Sequence, residues 1–154
     1  MNEIYFVRSA VEGIAAREAV RNVNQQVLHQ LELYIKKYEG ACQKGDRAAG
    51  ERADRLFHEK VAELSGNRYL NWLMKKIRML TTSFMIAERY CHSKKDLNPY
   101  SHARIVKALA TGDPDIAEEV LQKHILWSKD SFLKLRSKKE KRRIKTKKKE
   151  REKK

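Results

Sequence analysis

Apolar residues recur every three or four positions along most of this chain, the spacing of one buried face on an α-helix. Ile4, Val7, Val11, Ala15 and Ala19 predict a first helix from about Glu3 to Arg21. Val27, Leu28, Leu31, Ile35 and Tyr38 predict a second, from about Asn24 to Lys44. Gly45-Asp46 then ends one helix and begins the next, because glycine suits the position after a helix and aspartate suits an N-cap. The third helix covers about Asp46 to Leu64 and stops at the turn signal Ser65-Gly66-Asn67. A fourth, from about Arg68 to Cys91, turns Leu70, Leu73, Met74, Ile77, Thr81, Phe84 and Met85 inward. A polar loop from His92 to Asn98 precedes Pro99, which suits the first position of a fifth helix ending near Ala110. Thr111-Gly112-Asp113-Pro114 closes that helix and opens a sixth, which runs to about Leu135.

Six helices, short connections and no period-2 runs of β-branched residues predict an all-α antiparallel bundle. A length of 154 residues suits one domain with a sizeable core. Only two prolines interrupt it, and no internal repeat is present. No run approaches the ~18 apolar residues a membrane helix needs, so no membrane partner is expected. The two cysteines, Cys42 and Cys91, form no C-x-x-C pair and no signal peptide precedes them. They predict free thiols in a reducing cytoplasm.

Charge divides the chain into residues 1–135, a helical domain, and 136–154, a Lys/Arg-rich tail. The net charge is +15, and Lys134 to Lys154 alone hold 14 Lys or Arg against 3 Glu, leaving +4 for the rest. Ile144 is the single apolar residue from Arg136 onward, so the tail is expected to be disordered on its own. Lys138, Lys139, Arg142, Arg143, Lys147 and Lys148 are its candidate phosphate contacts, since clustered cations release counterions from nucleic acid without reading sequence. The tail has no aromatic residue to stack on bases, so base-selective single-strand binding is not expected. A plain solvated extension accounts for the same composition.

Three histidines fall where an imidazole costs stability unless it is satisfied. His102 lies in line with Ile105, Val106 and Leu109, and His124 with Val120, Leu121 and Trp127. His58 borders the stripe of Phe57, Val61 and Leu64, with Asp54 one turn before it on the same helix face. His29 points away from its stripe and His92 falls in a loop. Three imidazoles and a carboxylate converging across a bundle would suit Zn²⁺, Ni²⁺ or Mn²⁺ and leave one or two positions open. Each ring taken singly is equally a core histidine bonded to a backbone carbonyl.

These residues also carry a family pattern. Asp54-Arg55-Leu56-Phe57-His58, then Ser65-Gly66-Asn67, His102 to Ala108, Gly112-Asp113, Ala117 and His124-Ile125 resemble the effector-binding FadR C-terminal (FCD) domain of GntR-type transcription regulators. Arg8 with Glu12 resembles the R-x-x-x-E of that family's first helix, and the likeness covers about Glu3 to Leu133. Leu109 stands where the family has isoleucine, and Ser101 where it often has glutamate. The resemblance implies a helical sensor that dimerises with itself and encloses a ligand cavity. It implies a divalent metal on Asp54, His58, His102 and His124, and a small organic acid as effector. Arg8 and Asn67 are the candidate cavity contacts; a salt bridge from Arg8 to Glu12 and a helix cap at Asn67 are the alternatives. The family's winged helix-turn-helix is not found here, so DNA contact is expected through a missing N-terminal domain or through the tail.

Three functions follow: a metabolite-sensing module of a cytoplasmic regulator, a metal-dependent enzyme, or a nucleic-acid-associated protein acting through its tail. The enzyme is disfavoured because Glu59, beside His58 in sequence, turns about 100° away from that face and no other general base is visible.

Overall fold

A computed structural model describes residues 2–87 and 100–151. Six α-helices and one 3-10 turn make up the described chain, with no strand among these residues. They are α1 (Asn2–Ala19), the 3-10 turn Val20–Asn22, α2 (Gln25–Lys44), α3 (Arg47–Leu64), α4 (Arg68–Ala87), α5 (His102–Ala110) and α6 (Pro114–Arg151). The expected end of the fourth helix at Cys91, the loop His92 to Asn98 and Pro99 lie outside the described residues. So do the side chains of Phe84 and Met85.

The helix boundaries follow from local chemistry. Asn24 caps α2 by accepting a hydrogen bond from the Val27 amide. Gly45, at φ 72°, takes the left-handed conformation, its N–H reaching the Cys42 carbonyl while the Asp46 N–H reaches the Ala41 carbonyl. Asp46 then caps α3 through the Ala49 amide. Asp113 repeats the device for α6, accepting from the amides of Asp115 and Ile116.

α1 packs on α6, α3 and α4. Gly13 permits its close approach to α6: a Cβ there would lie 2.5 Å from Cγ of Gln122. One apolar cluster joins α1, α2, α3, α5 and α6 through Ala16, Leu31, Phe57, Val61, Ile105, Leu109 and Leu121. A second joins α1, α3 and α4 through Val11, Ala15, Ala62, Met74 and Ile77.

Two expectations are corrected. The sixth helix does not end near Leu135: α6 continues to Arg151, so the basic segment is helical where disorder was expected. Nothing after Pro114 breaks a helix, and Lys, Arg and Glu are good helix formers. Cys42, buried against Tyr38 and Ala53, is disulfide-bonded and not a free thiol. Spacing along the chain is no guide to pairing when helix packing sets the distances. Cys91 lies outside the described residues.

Candidate metal centre

The interior of the bundle is not wholly apolar. Arg8 and Glu12 from α1, Asp54 and His58 from α3, Arg78 and Thr81 from α4, His102 from α5 and His124 from α6 are all buried. Each sits on the inward stripe of its helix, where a polar group must find its partners inside the protein.

Asp54, His58, His102 and His124 are brought together across α3, α5 and α6. Each offers one ligand atom, and the four atoms lie within 4.8 Å of one another. His102 Nε2 stands 3.0 Å from Asp54 Oδ1 and 3.3 Å from His58 Nε2, while His58 Nε2 stands 3.7 Å from Asp54 Oδ1. Two ligands about 2.1 Å from one ion, set at right angles or tetrahedrally, are themselves about 3.0–3.4 Å apart. The 3.0 and 3.3 Å separations lie in that range and the 3.7 Å one just outside it, and three imidazoles with a carboxylate are donors that suit a divalent cation.

The far side of two rings is also held. His58 Nδ1 faces Glu12 Oε2 in close contact, and His124 Nδ1 donates to the Tyr100 carbonyl at 2.6 Å. Such outer partners fix the tautomer and leave Nε2 free as a ligand. Tyr38 and Phe57 pack edge-on against the His102 ring, fixing its plane.

Protonation states agree with ligation, which needs neutral imidazoles and an ionised carboxylate. Burial pushes His58 down, more than the carboxylates of Glu12 and Asp54 raise it. Burial, with His102 and His58 alongside, holds His124 well below the usual range. For Asp54, burial works upward, but the Arg78 guanidinium, His58 and the His102 hydrogen bond outweigh it and keep the carboxyl well below its ordinary value.

Arg78 donates from Nη2 to Asp54 Oδ2 at 2.6 Å, while its buried Nε and Nη1 find no acceptor among the described residues. Glu12 bridges Arg8 to His58; burial would raise its carboxyl, but Arg8, then His58, then Arg78 outweigh it and hold it low. Sequence reasoning missed both roles. Glu12 figured as a partner for Arg8 and in the R-x-x-x-E pattern, not as a contact of His58, and the pair is buried. The one signal for Arg78 was a charge placed on the inward stripe between Met74 and Thr81.

The two candidate cavity contacts part company. Arg8 lies at the polar centre, bound to Glu12 and stacked over the Tyr5 ring, so its charge is already engaged. Asn67 is exposed and caps α4, accepting from the amides of Tyr69 and Leu70. The structure does not bring it to the cluster. His29 is exposed, and His92 lies outside the described residues. Of the tail candidates, Arg143 is exposed; Lys138, Lys139, Arg142, Lys147 and Lys148 are placed by backbone alone, on α6.

The bundle is closed around a buried group of one carboxylate and three imidazoles. Residues 3–126 match the family model of the FCD domain. A probable D-xylose utilization operon transcriptional repressor from Paenarthrobacter nicotinovorans is 33% identical over 124 residues, covering 77% of this chain and 52% of that protein. The chain thus spans about half the length of that curated relative. Among solved structures, E. coli McbR/YncC superposes with a TM-score of 0.73 at 19% identity, over 86% of this chain and 67% of the other. Streptococcus agalactiae GntR superposes at 0.60 and 22% identity, over 80% and 55%. The chain belongs to the FCD-domain family of GntR-type transcription regulators. Regulators of this family bind small-molecule effectors and DNA, commonly as dimers. No helix among the described residues is long and apolar enough to cross a membrane.

Proposed function

We propose that this FCD domain senses a small organic acid through a divalent metal held by Asp54, His58, His102 and His124. The observation that carries the reading is the convergence of these four buried ligand atoms within 4.8 Å. Zn²⁺, Ni²⁺ or Mn²⁺ suits three imidazoles and a carboxylate, and such an ion supplies open positions for a ligand carboxylate. Arg78, whose Nε and Nη1 have no acceptor among the described residues, stands beside Asp54 as a fixed cation for the acid. The site is a receptor and not a catalyst, because its buried carboxylates are both committed, Asp54 to Arg78 and Glu12 to Arg8 and His58.

Ligand binding in a bundle can shift an equilibrium only by its difference in affinity for the two arrangements. Helices α3, α5 and α6 each bring a ligating side chain, so a change at the centre reaches three helices together. A homodimer is the natural reader of such a change. The exposed Phe6, Val7 and Ile14 on α1, with Tyr69, Trp72 and Met79 on the adjoining α4, support it. A cytoplasmic location rests on the regulator family and not on free thiols.

Metal analysis of purified protein beside an Asp54→Ala/His124→Ala variant tests the centre. About one divalent ion per chain, lost in the variant, is expected; equal metal content in both would remove the metal. Calorimetry of the metal-loaded protein against small organic acids, with D-xylose included because of the relative's name, tests the effector. No heat across the panel would refute acid sensing and leave the metal result standing.

A further inference from the structure

The last part of α6 has no role in the sensor. From Arg136 to Arg151 it carries 11 Lys or Arg and 2 Glu, yet it is continuous helix with the segment bearing His124. At 100° per residue its cations leave no gap wider than about 60° around the helix axis. Lys134, Ser137, Glu140, Lys141 and Arg143 are all exposed.

We infer that this extension is a phosphate-binding helix that lies along double-stranded nucleic acid without reading its sequence. The geometry selects the partner. A membrane-surface helix needs an apolar face beside its basic one, and Ile144 is the single apolar residue here. A coiled-coil or groove-binding helix needs an apolar stripe, which is missing for the same reason. Stacking on unpaired bases needs aromatic or similar platforms, and none is present after Phe132. A helix in the major groove of a duplex instead has a phosphate strand on each flank, so a helix whose cations leave no wide gap presents some to both strands whichever way it is rotated. Sixteen residues at 1.5 Å each span about 24 Å, or about seven base pairs. Phosphates also relieve the repulsion of like charges one turn apart, such as Lys138 with Arg142 and Lys139 with Arg143.

This inference is independent of the metal and of the effector. The test is fluorescence anisotropy of the full chain on a labelled 20-base-pair duplex of random sequence, from 50 to 200 mM salt. Micromolar binding is expected at the lower salt, weakening with a log–log slope of about −5 or steeper, as for six or so phosphates neutralised. Deleting residues 136–154 should weaken binding at least a hundredfold while the circular-dichroism melting of the bundle is kept. Thr146→Pro, which breaks the helix at constant charge, should weaken it several-fold. Unchanged binding after the deletion overturns the proposal. Unchanged binding in Thr146→Pro overturns the helical mode. Equal or tighter binding to a single strand of the same charge overturns the groove, and binding to phosphatidylserine vesicles with none to duplex overturns nucleic acid as partner.

Discussion

Two regions of this molecule are rich in charge, and α6 passes through both. In the bundle, two cations and two carboxylates lie out of water, and each is met by an opposite charge nearby: Arg8 by Glu12, and Arg78 by Asp54. In the extension, 11 cations face 2 carboxylates over sixteen residues. The difference follows from solvent. A buried ion costs several kcal/mol unless its partner is also inside, so the interior must balance its own charge. An exposed ion keeps its hydration and can remain unpaired until a partner of opposite sign arrives. The same residue types therefore close one region upon itself and leave the other open.

The sharpest break in that comparison is Asp54→Ala. It removes a proposed metal ligand and strands the Arg78 guanidinium in the interior. Losing one member of a buried pair typically costs about 3–5 kcal/mol, so the urea midpoint should fall steeply. Lys141→Ala, an exposed cation on the extension, should move it by less than about 0.5 kcal/mol. A loss below about 1 kcal/mol in Asp54→Ala would show that the interior is not closed electrostatically.

Metal comes next. A divalent ion at a hundred times its dissociation constant should stabilise the fold by about 2.7 kcal/mol, and a chelator should reverse the gain. The gain should be the same in a chain lacking residues 136–154, since no metal ligand proposed here lies in that segment. A stabilisation that disappears with the extension would place the ion there instead.

Acid should act on the bundle alone, and more gently. In the metal-free protein His58 and His124 are held below the ordinary histidine value. Between that value, about 6.5, and their lower folded values, the unfolded chain binds the more protons. Stability is therefore full above about pH 6.5 and declines as the pH falls through this window, by at most about 1.4 kcal/mol per unit for each ring. Asp54 and Glu12, also held low, extend the decline below about pH 4. The segment from Arg136 onward contains no histidine, so its removal should leave the slope near pH 6 unchanged. Equal stability at pH 7 and pH 5 would contradict neutral, buried rings.

What could be read before folding divides along similar lines. Asp46, Gly45 and Asp113 were legible because caps are local: the residue and the groups it satisfies lie within one turn. The three histidines and Asp54 were legible as polar positions on apolar stripes, and the family pattern joined them. Glu12 and Arg78 escaped because their partners come from other helices: His58 on α3 for one, Asp54 on α3 for the other. The end of α6 was misplaced for a different reason. Apolar period reports burial, and it fades after Leu135, but helicity does not need burial where Lys, Arg and Glu favour the helix and no breaker intervenes.

The smallest expected effect is the one that separates the two regions most directly. Deleting residues 136–154 lowers the net charge from +15 to +5. The part of α6 that packs in the bundle is anchored by Ala117, Leu121, His124, Ile125 and Ser128, all upstream of the cut. The like-charge pairs along the extension, such as Lys141 with Lys145, oppose helix there by about 0.2–0.5 kcal/mol each. They loosen that segment without reaching the core, so their removal returns nothing to the bundle. The urea midpoint and its slope should then match those of the full chain within about 0.5 kcal/mol at moderate salt, where long-range repulsion is screened. A fall of more than about 1 kcal/mol, or a shallower slope, would mean that the extension buries surface against the bundle. Its cations would then belong to the closed region, and the contrast between self-balanced and unpaired charge would fail.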